Sequence, residues 1–234
     1  MEAEKYDAIT FDVYGTLIDW EPSILSALGN WAKTNGLNAS AADLLDAFDR
    51  ARAHYQALIP GRDYRRILRS AYSYIANEFE LQADAQERTD FGNSVGDWPA
   101  YADSVSALNR LKENFVLGAF TNMDDASFAH SHARLENCFE IIVTAERVGS
   151  YKPSLRHFVV GLTDLAARGI PPERVLHVAQ SLRADVRPAN LLGQDVVWIN
   201  RKDRSLGHSG FGAELAVPMA TYPSMEAFVA DFLG

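Results

Sequence analysis

Cysteine is almost absent: Cys138 is the single one in 234 residues. One thiol cannot close an intramolecular disulfide, so the fold does not rest on oxidation. No apolar run approaches the ~20 residues that a membrane-spanning helix needs. Positive charge is in deficit, 22 Lys+Arg against 31 Asp+Glu, for a formal net charge of -9. Nucleic-acid binders carry a basic face, and this balance argues against one. The start, Met1-Glu-Ala-Glu-Lys5, lacks the basic and apolar stretches of a signal peptide. The expectation is a soluble, cytoplasmic protein with neither membrane nor nucleic acid as partner. Repeats and low-complexity tracts are missing. So are a glycine-rich nucleotide loop and a Gly-x-Ser-x-Gly elbow. The six histidines show no metal-ligand spacing.

What is present is an ordinary globular composition, 47% hydrophobic and 23% charged. The length suits one large domain, or a core with an insertion. Ala8-Ile-Thr-Phe11 reads as a short buried strand that stops at Asp12-Val-Tyr-Gly-Thr16. Helical spacing then takes over from about Pro22 to Val95, with Ser40 as an N-cap and Pro60-Gly61 as a break. After Trp98-Pro99 strands and helices alternate. Strands are predicted over Phe115–Phe120, Ile141–Val143, Val175–Val178 and Asp195–Ile199. Helices are predicted over Ser104–Asn114, Ala126–Leu135, Leu155–Arg168 and Ala184–Leu192. Alternation of this kind implies βαβ units and a parallel sheet. The fold expected is α/β, a Rossmann-like core over residues 1–16 and 97–234 with an all-helical cap over 17–96. Ser205 to Gly212 is glycine-rich and reads as a surface loop. Ala227-Phe-Val and Phe232-Leu233 suggest a last amphipathic helix.

Four of these strands end in polar residues: Asp12, Thr121-Asn122, a loop containing Lys152, and Gln180, Ser181 and Asp185. In a parallel sheet such ends share one edge, where ligands bind. Asp12 can attack an electrophilic centre and form an aspartyl intermediate. Lys152 can keep it ionised. Thr16 and Thr121 can bind an anion, and Asp185 can hold the lysine or activate water. Singly, each residue has a plainer role: a turn for Asp12, a helix N-cap for Thr121-Asn122, a solvated loop for Lys152, a helix N-terminus for Asp185. His177, inside an apolar strand, reads as a satisfied core histidine. The specificity lies in the ordered set.

That set resembles the haloacid dehalogenase-like hydrolase superfamily from Tyr6 to about Arg201. Phe11-Asp12-Val13-Tyr14-Gly15-Thr16-Leu17 looks like its first motif and Thr121-Asn122 its second. Ser150-Tyr-Lys152-Pro153 looks like the lysine motif, and His177 to Asp185 matches the fourth in position. Phosphatases of the superfamily carry an aspartate where Tyr14 stands and a magnesium-binding acidic pair whose first member is Gln180 here. Both departures point away from phosphoryl transfer and from Mg²⁺, which belongs to the phosphatase alternative only. Tyr14-Gly15-Thr16 is instead similar to the L-2-haloacid dehalogenase branch, which uses no metal.

The resemblance implies an aspartyl-ester route on a small carboxylate bearing a leaving group at C2, giving a 2-hydroxyacid. Asp12 is the implied nucleophile, Lys152 its charge partner, and Asp185 the orienter of lysine and water. Tyr14, Thr16, Arg50, Thr121, Asn122 and Ser181 are the implied substrate-binding residues. Arg50 is offset by one residue from the cap arginine of that branch, whose place Asp49 takes. Asp49 itself reads as a solvated cap residue. Phe158 stands where a tyrosine is expected, and Ala179-Gln180-Ser181 replaces a serine-rich fourth motif. Leu17-Ile-Asp-Trp-Glu21, Trp98-Pro99 and Val148-Gly-Ser-Tyr-Lys-Pro153 also resemble the ring-opening L-azetidine-2-carboxylate hydrolases, the nearest alternative. Trp20 lines the pocket or packs cap on core. Cap and core helices offer faces that could bury a homodimer interface.

Overall fold

Four successive buried residues, Ala8–Phe11, form β1, as a strand covered on both faces requires. The computed structural model describes residues 2–201 and 213–234. The other strands are β2 (Val116–Thr121), β3 (Ile141–Thr144), β4 (Val175–Ala179), β5 (Asp195–Ile199) and β6 (Ala220–Tyr222). They make one six-stranded sheet in the order β3-β2-β1-β4-β5-β6. Every pairing is parallel. The chain runs outward from β1 through β2 to β3, then returns to the other side of β1 as β4. The order therefore reverses at β1, the point where open α/β sheets hold their ligands. Register keeps the carboxyl ends level: Phe11 pairs with both Ala119 and Val178, and Thr121 with Thr144.

Between β1 and β2 lie the helices α1 (Glu21–Thr34), α2 (Ala41–Leu58), α3 (Tyr64–Glu78) and α4 (Ala85–Asn93), then α5 (Ser104–Leu111). Local signals set their starts. Ser40 and Asp43 exchange side-chain and backbone bonds as a capping box before α2, and Asp84 with Glu87 do so before α4. Asp63 caps α3. The buried stripes of α1 to α3, including Trp31, Phe48 and Ile67, join one apolar cluster with Phe11 and Val13. The helical insertion and the parallel core agree with the sequence reading.

The remaining helices are α6 (Asp125–Arg134), α7 (Ala145–Val148), α8 (Arg156–Ala166), α9 (Arg187–Leu191) and α10 (Met225–Leu233). The helix expected over Ala184–Leu192 is present, but its first turn, Leu182–Val186, is π-helical and runs directly into α9. Pro188 lacks the N–H that a regular helix would need there, and Arg187 N–H reaches back to the Leu182 carbonyl. The strand β6, half-exposed and three residues long, carries no alternation to read. The Ser205–Gly212 loop lies outside the described residues. Among the described residues no helix is long and apolar enough to cross a membrane. Cys138 is half-buried and free.

Candidate active site

The sheet ladder runs one residue past β1, since Asp12 N–H donates to the Val178 carbonyl at 3.1 Å. This fixes the Asp12 backbone at the sheet's carboxyl edge, with the side chain nearly buried. The chain then turns sharply. Gly15 sits at φ +97°, a backbone conformation that favours glycine. Thr16 Oγ1 donates to Asp12 Oδ2 at 2.7 Å and accepts from Gln180 N–H at 2.8 Å. One hydroxyl thus ties the nucleophile loop to the loop after β4.

Lys152 is buried and spends all three of its N–H bonds. Its Nζ donates to Asp12 Oδ1 at 2.9 Å, to Asp185 Oδ1 at 2.5 Å and to the Phe120 carbonyl at 2.7 Å. Asn122 holds the lysine's backbone on both sides: Oδ1 accepts from Lys152 N–H at 2.6 Å, and Nδ2 donates to the Lys152 carbonyl at 3.2 Å. Asp185 Oδ1 also lies 3.3 Å from His177 Nε2, and His177 Nδ1 lies 2.9 Å from Thr10 Oγ1. His177 is the satisfied core histidine the sequence suggested, stacked against Phe120 with Phe158 at its edge. Asp185 Oδ2 is buried without a partner.

Burial raises the Asp12 carboxyl above its ordinary value; Lys152 pulls against this and the charge on Asp185 adds to it. Burial pushes Asp185 up as well, but Lys152 and His177 outweigh it and hold that carboxyl low. Burial disfavours the Lys152 ammonium, yet the two carboxylates outweigh it and raise the group. Two carboxylates sharing one ammonium are driven apart in this way.

Above the cluster opens a cavity of about 550 Å³, bounded by core loops and by α1, α2 and α3. Asp12, Lys152, Asp185, Asn122, Ser181 and Tyr14 all line it. Ser181 Oγ accepts from Ala184 N–H and so caps the π turn. The Tyr14 hydroxyl sits 2.7 Å from Ser131 Oγ, and burial raises its pKa, so it supplies no proton to the site near neutrality. Thr16 does not line the cavity and acts on Asp12 instead. Thr121 does not line it either: its side chain is fully buried, with Oγ1 unpartnered, and its carbonyl lies 3.2 Å from His157 Nε2.

Arg50 is corrected. It pairs with Glu78 on the exposed side of the cap and is absent from the cavity. One residue along a helix turns a side chain by about 100°, and it is Asp49 and Arg52, three apart, that face inward. Asp49 is half-exposed, as a solvated cap residue would be, and it also lines the cavity and pairs with Arg52. Trp20 lines the cavity and packs on Phe48, with the Arg52 guanidinium over its ring. Sequence reasoning missed Arg52 and Arg183. The signal for the first was its i+3 spacing from Asp49. The signal for the second was its place two residues before Asp185. Among the described residues no cluster of three or more His, Cys, Asp or Glu gathers as a metal site, and Gln180, a neutral side chain, sits at the cavity wall.

A family model, haloacid dehalogenase-like hydrolase, matches residues 6–193. A curated relative, haloacetate dehalogenase H-2 of Moraxella sp. (strain B), is 24% identical over 231 residues, 97% of both chains. Among solved structures, the L-2-haloacid dehalogenase of Xanthobacter autotrophicus matches with TM-score 0.79 at 18% identity, over 98% of this chain and 99% of that one. A putative hydrolase of the same family from Bacillus subtilis, bound to magnesium, matches with TM-score 0.78 at 17% identity, over 98% and 100%. At those identities the structures speak for the fold.

Proposed function

The chain belongs to the haloacid dehalogenase-like hydrolases, and from that premise we propose that it displaces the C2 substituent of a small 2-substituted carboxylic acid, most simply a halide, to give a 2-hydroxyacid. The observation that carries this reading is the buried Asp12–Lys152–Asp185 cluster facing a cavity that has Gln180 where a phosphatase needs a carboxylate. The haloacetate dehalogenase relative supports the same chemistry.

In the proposed reaction an Asp12 oxygen attacks C2, the carbon–halogen bond breaks, and halide leaves with the electron pair. Configuration at C2 inverts. Water then adds to the Asp12 carboxyl carbon as it yields a proton, and the acyl C–O bond breaks. The departing alkoxide takes that proton back to become the hydroxyl of the 2-hydroxyacid. Asp12 is regenerated as a carboxylate carrying one oxygen from water, with the remaining proton released to solvent. Asp185 Oδ2, buried and unpartnered, is the acceptor available for the water's proton. Thr16 and Lys152 hold the nucleophile in one orientation, which turns the attack into an effectively unimolecular step. No step calls on a metal. Tyr14 offers no acid, and the Lys152 ammonium occupies the space between the two site carboxylates.

Ring opening of L-azetidine-2-carboxylate is the second reading, with the ring amine as leaving group. Asp46 and Glu21 on the cavity wall favour it, since they suit a cationic amine. The test is product release in the presence of EDTA from both enantiomers of 2-chloropropionate, from fluoroacetate and from L-azetidine-2-carboxylate. Halide release supports the first reading and ring-opened hydroxy-amino acid the second. Silence on the panel, with Mg²⁺-dependent phosphate release from a generic ester, overturns both.

A further inference from the structure

The cavity wall is rich in carboxylates, yet the proposed substrate is an anion. Something in the wall must receive its charge. Lys152 is saturated by Asp12, Asp185 and the Phe120 carbonyl. Arg52 is engaged by Asp49 and by the Tyr64 hydroxyl, though its buried Nε–H has no acceptor. Arg183 is different. It lines the same cavity, it is half-buried, and among the described residues it has no hydrogen bond or ion pair. It projects from the π-helical turn Leu182–Val186, two residues before Asp185, so its base is fixed by the same turn that positions the catalytic cluster. Burial and the charge on Arg52 disfavour the Arg183 guanidinium, and the attraction of Asp49 offsets them only in part. An anion placed between the two arginines relieves both effects. The planar fork of a guanidinium matches a carboxylate with two parallel hydrogen bonds.

We propose that Arg183, with the idle Nε–H of Arg52 beside it, is the receptor for the substrate's carboxylate and makes the enzyme select acids over their neutral amides. This assignment rests on the proposed function above, and it holds equally for a haloacid and for azetidine-2-carboxylate, which share the carboxylate.

The experiment pairs turnover with binding. Turnover of 2-chloropropionate and 2-chloropropionamide is measured for wild type, Arg183→Gln and Arg183→Lys. Binding of propionate, which has no leaving group, is measured calorimetrically on the same proteins. Loss of one charge-assisted pair weakens binding roughly 10–100-fold. Arg183→Gln should raise KM for the acid and Kd for propionate by that factor, with a much smaller fall in kcat. Arg183→Lys should recover part of the loss, and the preference for acid over amide should collapse in Arg183→Gln. If wild type turns over none of the panel but propionate binding still depends on Arg183, the reaction is wrong and the receptor stands. If Arg183→Gln keeps the wild-type KM and Kd, or lowers kcat alone, the receptor is wrong whatever the reaction. Failure of wild type to bind propionate at all overturns it too.

Discussion

At Asp12 burial and reactivity oppose each other. The proposed attack needs a carboxylate, while burial favours the neutral acid and raises the group above its ordinary value. Only the ionised form reacts, so kcat/KM falls as pH drops through that raised value. The acid limb of the pH profile should therefore lie above the ordinary aspartate value of about 3.9. Removing the stabilising hydroxyl with Thr16→Val should move it higher still. A limb at or below about pH 4 in both proteins would remove the argument. Arg50 and Arg52 make a second comparison at this scale. Arg50→Ala breaks a solvent-exposed pair with Glu78, of a type worth about 0–1 kcal/mol, and should leave turnover unchanged. Arg52→Ala removes a cation stacked between Trp20 and the cavity and should lower kcat/KM. The reverse pattern would restore Arg50 to the site.

Elements carry the next constraint, and the packing of α8 on β2 shows it. A Cβ at Gly161 would fall 2.1 Å from Phe120 Cζ. That ring is held by Phe158 and His177, and the Phe120 carbonyl binds Lys152 Nζ. Overpacking of this kind costs about 1–3 kcal/mol. Gly161→Ala should lower the urea midpoint accordingly and reduce turnover with it, because the strand it displaces holds the lysine. A stability change under about 0.5 kcal/mol, the ordinary surface level, would mean the helix shifts freely. The start of α2 was legible because its cap is local: Ser40 and Asp43 are three residues apart and need nothing distant. The π turn and β6 were not. The first depends on Pro188 meeting a strand-end loop, and the second on a neighbouring strand that supplies its hydrogen bonds.

On the scale of the whole molecule, Asp103 joins distant segments. Its carboxylate receives Arg201 at 2.9 and 3.1 Å and the backbone N–H groups of Met225 and Glu226, which open α10. Arg201 in turn donates to the Thr16 carbonyl at 2.9 Å. Burial alone would raise Asp103, but Arg201 and the two N–H groups outweigh it and lower the group. A carboxyl whose folded value is depressed stabilises the fold above its unfolded value, and that stability is lost as pH falls through the folded one. The wild-type urea midpoint should drop below about pH 4. In Asp103→Asn it should start lower at pH 7 and fall less on acidification. Parallel curves for the two proteins would mean that this junction does not titrate with unfolding.

By itself the sequence determined the layout: a parallel α/β core, a helical insertion after the first strand, and polar residues gathered at the carboxyl edge. These follow from hydrophobic period, from capping and from the ordering of strand ends, all of which are readable along the chain. It also placed Asp12, Lys152 and Asp185 together, because β1, β4 and the loop after β3 must share that edge. Only the tertiary structure decided which arginines face the cavity. The sequence offers Arg50 and Arg52 on one helix, and the choice turns on the azimuth at which α2 packs over Trp20 and the sheet. Arg183 likewise gains its meaning from three dimensions, since only the packing of the π turn against the cap brings it to the wall of the same cavity as Asp12 and Arg52.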